Sequence, residues 1–425
     1  MTDMQTTAAE ASRLPTADSR ARSATLKSLA AVCCAMALLA GGAFAGEAEK
    51  PLDEAGLIAV LESDAPWVEK QQACRDLRRV GTPAAVPALS ALLTDDKLAH
   101  MARYALEPMA YPEAGAVLRA ALAKTDGPMK VGVIISLGVR RDTQAVPLLA
   151  PLLEDASAEV ARATAGALGR IATAEAVRAI AQARGDAPET VRMAFSEALL
   201  AAAQRLVAEE KQQRAVALYK TLVADTEPMH VRTGAFRGLA VAQPKRAPKR
   251  LLAALRGDEP VLRDTAATII GETTEHTERF AKALSKLPAG GQAALLRGLA
   301  DRGDRAARSA VVSALSSDEK AVRIAALKAL ATLGAAEDVP ALVVLLPAED
   351  PEIAGAAQAT LETMQADGVD AALIAEIPGA IPAVHAELLG LLCTRRADQT
   401  TLLAVEALDA TEAEVPTGDT LTPED

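Results

Sequence analysis

One phrase recurs along this chain at a spacing close to 31 residues, and no other feature restricts its folding so severely. Written in register, its first position falls at Leu98, Met129, Val160, Val191, Val231, Val261, Gly291, Val322, Ile353 and Val384. The steps between them are 31, 31, 31, 40, 30, 30, 31, 31 and 31 residues. Three residues on stand Met101, Gly132, Ala163, Ala194, Gly234, Asp264, Ala294, Ala325, Ala356 and Glu387, of which seven are Gly or Ala. Eight on stand Leu106, Leu137, Leu168, Leu199, Leu239, Ile269, Leu299, Leu330, Leu361 and Leu392, without exception Leu or Ile. A less regular unit precedes them, from Trp67-Val68 through Leu77 to Ala84–Leu93. A sustained period of this length marks units that each bury their apolar face against the next.

Offsets 0, 4 and 8 lie close to one stripe of a helix, so the large residue at the start and the Leu/Ile column face inward. The small column at offset 3 is expected to let the neighbouring helix approach. A second helix follows a short break, with Pro147 or Pro340 in its first turn, where a missing N–H costs nothing. Aromatic residues make up only 2% of the chain while half of it is hydrophobic, so Ala, Leu and Val must build the core. No stretch has the alternation of a strand, and "VGVIISLGV" (131–139) lies inside a helical frame. The expected fold is all-α, an α-solenoid of about eleven two-helix units over residues 57–410.

The phrases "VRIAALKALATLG…DVPALVVLL" and "VARATAGALGRIATAEAVRAIAQA" resemble the HEAT repeat family, in particular its short phycobilisome-lyase-type repeats. The resemblance implies a superhelix of paired helices whose second helices line a concave, partner-binding face. It also raises a bilin-lyase-like activity, for which the near absence of aromatics leaves no pocket suited to a flat tetrapyrrole.

Between units stand Asp126, Asp155, Asp186, Asp258, Asp318 and Asp350, read as a structural ladder capping the helix that follows each. Basic residues recur just after, at Arg162, Arg192, Arg232, Arg263 and Arg323. Three places depart from the pattern. The long step 191–230 predicts a pair of longer helices. "PKRAPKR" places Lys245, Arg246, Lys249 and Arg250 in a loop able to dock an acidic partner or an anionic lipid surface. Tyr104 stands at offset 6, where other units carry Arg237, Arg297 and Lys328, and is a candidate exposed anchor. Asp264 and Glu387 fall in the small column, where a buried acid would be costly without a partner.

The net charge is −11, with four cations against three acids in residues 1–45, leaving −12 on the remainder. Nucleic acid, which needs a positive groove, is therefore not the expected partner. Basic residues 20–27 precede an uncharged stretch of 17 residues, 29–45, ending Ala43-Phe44-Ala45, which reads as a signal peptide with a long n-region cleaved after Ala45. Residues 46–56 follow as a linker and 411–425 as a disordered acidic tail. The alternative is an inner-membrane anchor formed by 29–45, although 17 residues is short for a span of about 20. Cys33 and Cys34 would leave with the signal; Cys74 and Cys393 lie too far apart in a solenoid for a disulfide or shared metal site.

His100, His230, His276 and His385 are scattered, and no phosphate-binding glycine loop, nucleophile elbow or zinc spacing is present; "GALG" (166–169) is too short and lies within a repeat helix. No catalytic, cofactor or metal residue is assigned. The expected function is that of a non-enzymatic scaffold, exported to the periplasm or secreted, which binds an envelope protein. Its oligomeric state is left open, and the membrane enters only if 29–45 is retained.

Overall fold

The computed structural model describes residues 53–395. The signal segment, most of the linker, Cys33, Cys34 and the acidic tail lie outside them. Among the described residues there are 22 α-helices and no strand. Contacts divide the chain into two compact units, the first ending at Ala114 and the second starting at Gly115.

In the first unit, α1 (Glu54–Glu62), α2 (Trp67–Val80), α3 (Val86–Ala91) and α4 (Ala99–Leu106) pack on one another, with Cys74, Leu77, Leu89 and Leu106 fully enclosed. Burial pushes the Cys74 thiol up to about 11, so it is an inert core group. α5 (Pro112–Ala121) spans the division.

The second unit then alternates first and second helices: α6 (Gly127–Arg140) and α7 (Val146–Leu149); α8 (Ala158–Ile171) and α9 (Ala174–Asp186); α10 (Glu189–Ala208) and α11 (Gln212–Leu222); α12 (Met229–Ala242) and α13 (Ala247–Arg256). The order continues with α14 (Pro260–Glu272) and α15 (Thr277–Ala283); α16 (Ala289–Arg302) and α17 (Arg308–Ser313); α18 (Lys320–Leu333) and α19 (Val339–Val343); α20 (Pro351–Thr363) and α21 (Val369–Glu376); and finally α22 (Pro382–Thr394). Each first helix packs on the next along the whole row from α6 to α22. This is the all-α solenoid that the periodicity requires.

The Leu column is buried as expected, with Leu137, Leu168, Leu299, Leu330 and Leu361 wholly inaccessible. One unit is out of step with the register above. Ala266, Ala267 and Ile270 are fully buried in α14, as Ala326, Leu327 and Leu330 are in α18, whereas Val261 is 44% exposed. The unit therefore begins at Leu262, not Val261, and the Ile at offset 8 is Ile270 rather than its neighbour Ile269. The adjacent pair Ile269-Ile270 allowed either alignment. Asp264 consequently leaves the small column, is exposed, and holds the Arg297 guanidinium at 2.8 Å. Glu387 is exposed as well.

The small column brings helices together at Gly234, where an added Cβ would lie 2.8 Å from Leu200 Cδ2 of α10, but it is not the main line of approach. Neighbouring first helices approach chiefly through offsets 7 and 9. A Cβ added to Gly138 would lie 2.6 Å from the Cα of Ala167, and one added to Gly169 would lie 2.6 Å from the carbonyl oxygen of Ala198.

The aspartate ladder is mostly corrected. Asp350 caps α20, its carboxylate accepting from the Glu352 N–H at 3.0 Å. Asp126 occupies the N-cap position of α6 without a side-chain bond. Asp155 accepts from the Ser157 N–H, and Ser157 is the cap of α8. Asp186 is the last residue of α9, while Asp258 and Asp318 stand one position before the true N-caps, Glu259 and Glu319. Arginines seal several of these junctions: Arg192 donates to Ala187 O at 2.8 Å and Arg323 to Ser317 O at 2.7 Å.

Most capping happens inside the units, at the turn into the second helix. Thr82, Asp142, Thr173 and Asp304 each accept a backbone N–H there. Asp338 instead folds back to accept the Ala335 N–H and is gripped by Arg308 through Nε at 2.7 Å and Nη2 at 2.8 Å. Arg302 donates to the carbonyl of Ile270 at the end of α14, and to Glu275 O, Thr273 Oγ1 and Thr277 Oγ1 beyond it.

Two of these caps carry a pH prediction. The Lys320 ammonium, then the Glu352 N–H, hold Asp350 below the usual aspartate pKa; the Thr277 hydroxyl, then the Ala306 N–H, do so for Asp304. Because folding depresses both, their contribution is complete above the unfolded aspartate pKa, near 4, and is lost as pH falls through the lower folded values. Carboxyl 13C titration should show both midpoints displaced downward, and Lys320→Ala should move Asp350 back up while leaving Asp304 unchanged.

The 40-residue step is built as a longer pair, with α10 extended to 20 residues. It is integral to the stack. Tyr219 of α11 is buried with its ring seated against Gly238 of α12, and Arg184 pairs with Glu227 across the junction.

Candidate protein-binding surface

The residues at offsets −1, 2, 3, 6 and 10 of a first helix share a face turned away from the second helices, by the 3.6-residue period. In the second unit this face carries a groove of about 830 Å3 that crosses α14, α16 and α18 and reaches Glu352 of α20. Its floor includes Ala293, Ala294, Ile324 and Ala325. The small column at offset 3 thus shapes this groove. Short side chains leave space between successive helices where larger ones would fill it.

The rim is charged with both signs. Arg297 bonds Asp264, and the Lys320 ammonium lies 2.8 Å from Asp350 and 3.1 Å from Glu352. Arg263, Asp301 and Lys328 complete it. Exposed pairs of this kind contribute little to stability and are free to exchange partners with a docking chain. The groove belongs to the first helices, not to the second helices on which the family resemblance places the binding face. Those second helices are short, down to four residues in α7.

The basic residues are not in a loop. Pro244–Arg246 forms one 3-10 turn that runs into α13, with Pro248 in the first turn of that helix. Lys245, Arg246 and Lys249 are exposed. Arg250 is turned inward, donating to Leu239 O at 3.1 Å and Gln243 Oε1 at 3.0 Å at the end of α12. Burial, with the Arg246 charge beside it, lowers the Arg250 pKa. Arg250 therefore caps α12. Arg250→Ala should cost about 1 kcal/mol, and Lys245→Ala or Lys249→Ala less than about 0.5, in urea unfolding.

Tyr104, in the first unit, is 44% exposed, with the Arg78 guanidinium 4.0 Å from its ring centroid and bonded to its carbonyl. The stacked arginine holds the ring in a fixed pose. Among the described residues no group of three or more His, Cys, Asp or Glu is placed to hold a metal ion. Nor is any helix there long and apolar enough to cross a membrane.

The family model for HEAT repeats matches residues 54–130, 115–200 and 277–362, more than half of the chain. The chain belongs to the HEAT repeat family. Comparison with curated proteins gives no match. Among solved structures, this HEAT chain is similar to an engineered protein at 20% identity, over 81% of this chain and 99% of that one, with a TM-score of 0.27. It is also similar to Kap121p bound to Pho4p, at 13% identity over 87% of this chain and 48% of that one, TM-score 0.41. Kap95p, which binds RanGDP, is 12% identical over 81% of this chain and 56% of that one, TM-score 0.44. The chain spans about half the length of these two karyopherins.

HEAT solenoids are typically protein-binding scaffolds, and their function resides in side chains displayed on the stacked helices. Sequence reading of this HEAT chain did not find the groove. The signal was present in the small column, which was assigned to helix approach.

Proposed function

We propose that this protein is a scaffold or adaptor of the cell envelope, periplasmic or secreted, that binds a partner protein along the first-helix face of its second unit. The observation that carries the reading is the groove over four consecutive units, rimmed by exchangeable charges. Stacking holds those side chains in fixed relation, so a long partner gains many small contacts without ordering the solenoid. Export is supported by the basic run 20–27, the uncharged stretch 29–45 and Ala43-Phe44-Ala45. The role is one of binding, with no chemistry assigned to any residue.

Cross-linking mass spectrometry in the native envelope, combined with sequencing of the mature amino terminus, tests it. Links from Lys320 and Lys328 to one dominant protein, with the terminus at Gly46, are expected. An intact 29–45 segment with links confined to membrane-embedded neighbours would replace this reading with an anchored surface protein.

A further inference from the structure

The groove across α14, α16, α18 and α20 is more basic than the chain that builds it. Four cations line it, Arg263, Arg297, Lys320 and Lys328, against three acids, Asp264, Asp301 and Glu352, in a protein of net charge −11. Arg297 is taken up by Asp264, and Lys320 by Glu352 together with Asp350. Arg263 and Lys328 form no ion pair with any described residue, and Asp301 is the one lining acid left to offset them. The Arg263 guanidinium lies over Gly290 at the start of α16, where an added Cβ would come within 2.7 Å of its Nη1. Neither the cap nor the first turn of α16 holds an acid, so the positive end of that helix dipole adds to the same side of the groove.

The same chain carries a complementary segment. Residues 411–425 (TEAEVPTGDTLTPED) hold Glu412, Glu414, Asp419, Glu424 and Asp425 and no Lys or Arg, with Val415 and Leu421 as the larger apolar side chains. The described chain ends at Arg395, whose guanidinium is bonded to Asp370 and to the Leu361 and Met364 carbonyls at the end of α20. α20 is the helix whose Glu352 closes the groove, so the chain leaves the described structure one helix away from it. The link 396–410 spans about 20 Å if helical and about 50 Å if extended, against about 20 Å for the length of α20. Residues 411–425 add up to about 50 Å more, while three steps between neighbouring helices cover roughly 30 Å. The segment therefore reaches every unit of the groove.

We propose that residues 411–425 fold back onto this groove of their own chain, setting Glu412, Glu414 and Asp419 against Arg263 and Lys328 and laying Val415 over the floor at Ala294 and Ile324. The net charge of the whole chain opposes this only weakly, because exposed charges more than about 10 Å apart are screened at 0.1 M salt and the local pairs decide. Tethering supplies the segment at an effective concentration on the order of mM, so a contact too weak to hold a separate peptide still covers the groove in a large share of the molecules. A partner of the scaffold then has to displace the segment, and its apparent affinity falls by the fraction of chains that are covered. That consequence rests on the scaffold reading; the contact itself does not.

The test uses the purified full chain and a zero-length carbodiimide, which joins a lysine amine to a carboxylate in contact with it. Cross-links from Lys328 to residues 411–425 are expected within single molecules, with a yield that does not change on dilution. At low salt that yield should exceed the yield at Lys286, an exposed lysine outside the groove, by roughly fivefold or more, and raised salt should remove the difference. Arg263→Gln, which keeps the reacting lysine, should lower the Lys328 yield several-fold. The Ile324 methyl resonance should move in Glu412→Gln/Glu414→Gln/Asp419→Asn, with circular dichroism confirming that both variants fold. Equal yields at Lys328 and Lys286, an unchanged yield in Arg263→Gln or an unmoved Ile324 methyl overturns the proposal. So do cross-links that join isotopically heavy to light chains in a mixture, which make the occupant a second copy. The scaffold reading is tested separately by links from Lys320 and Lys328 to a partner in the envelope: it stands on those links if the segment fails to dock, and falls without them if the segment docks.

Discussion

Leu168→Ala and Leu330→Ala should each destabilise the protein by about 2–5 kcal/mol, read as a fall in the urea midpoint with an unchanged slope. Both side chains are wholly inaccessible, on consecutive-type positions of α8 and α18, and each is enclosed by its own unit and its neighbour. Removing them costs the transfer free energy of the lost methyl groups and leaves a cavity that rigid stacked helices cannot collapse. Two valines, one at offset 0 and one just before it, supply the control for register. Val322→Ala, at a fully buried position, should cost about 2 kcal/mol, while Val261→Ala, at a half-exposed one, should stay within about 0.5. Equal costs for the two valines would restore the alignment starting at Val261 and remove the explanation for the exposure of Asp264.

Gly169→Val and Gly166→Ala should move stability in opposite directions, though the two glycines are three residues apart in one helix. A Cβ at Gly169 would stand 2.6 Å from the oxygen and 3.1 Å from the Cα and carbonyl carbon of Ala198 in α10, all backbone atoms. The α8–α10 contact must open to admit it, at about 1–3 kcal/mol. A Cβ at Gly166 meets nothing within 4 Å, so Gly166→Ala should stabilise by about 0.5–1 kcal/mol through the lower entropy of the unfolded chain and better helix propensity. Thermal melts of the two variants decide it. If Gly169→Val is neutral, the first helices are not in the close contact that the Gly138/Ala167 and Gly169/Ala198 pairs describe.

The rest of the surface shows how little of a binding site periodicity contains. Tyr104 was legible as an exposed aromatic because three other units carry Arg237, Arg297 and Lys328 in its column. That Arg78 stacks on it was not legible, since the two are joined only through the packing of α2 against α4. The four cations of 245–250 were visible as a run, but one-dimensional spacing could not separate Arg250, which caps α12, from the three that face solvent.

The amino-acid sequence by itself determined that this chain is a stack of helix pairs. A buried stripe must repeat at 3.6 residues within a helix and at the unit length between helices, and both periods are written in the Leu column and the 31-residue step. It determined equally that the step at 191–230 is a longer pair. Tertiary structure alone decided the alignment of α14, the turns at which caps form, the offsets at which helices touch and the side on which the groove opens. Each of these depends on the backbone of the next unit: Ala198 against Gly169, Asp338 against Arg308, Glu352 beside Lys320. A pattern that repeats unit by unit records which face each helix buries, but the distance and rotation between neighbours arise only when the units are stacked.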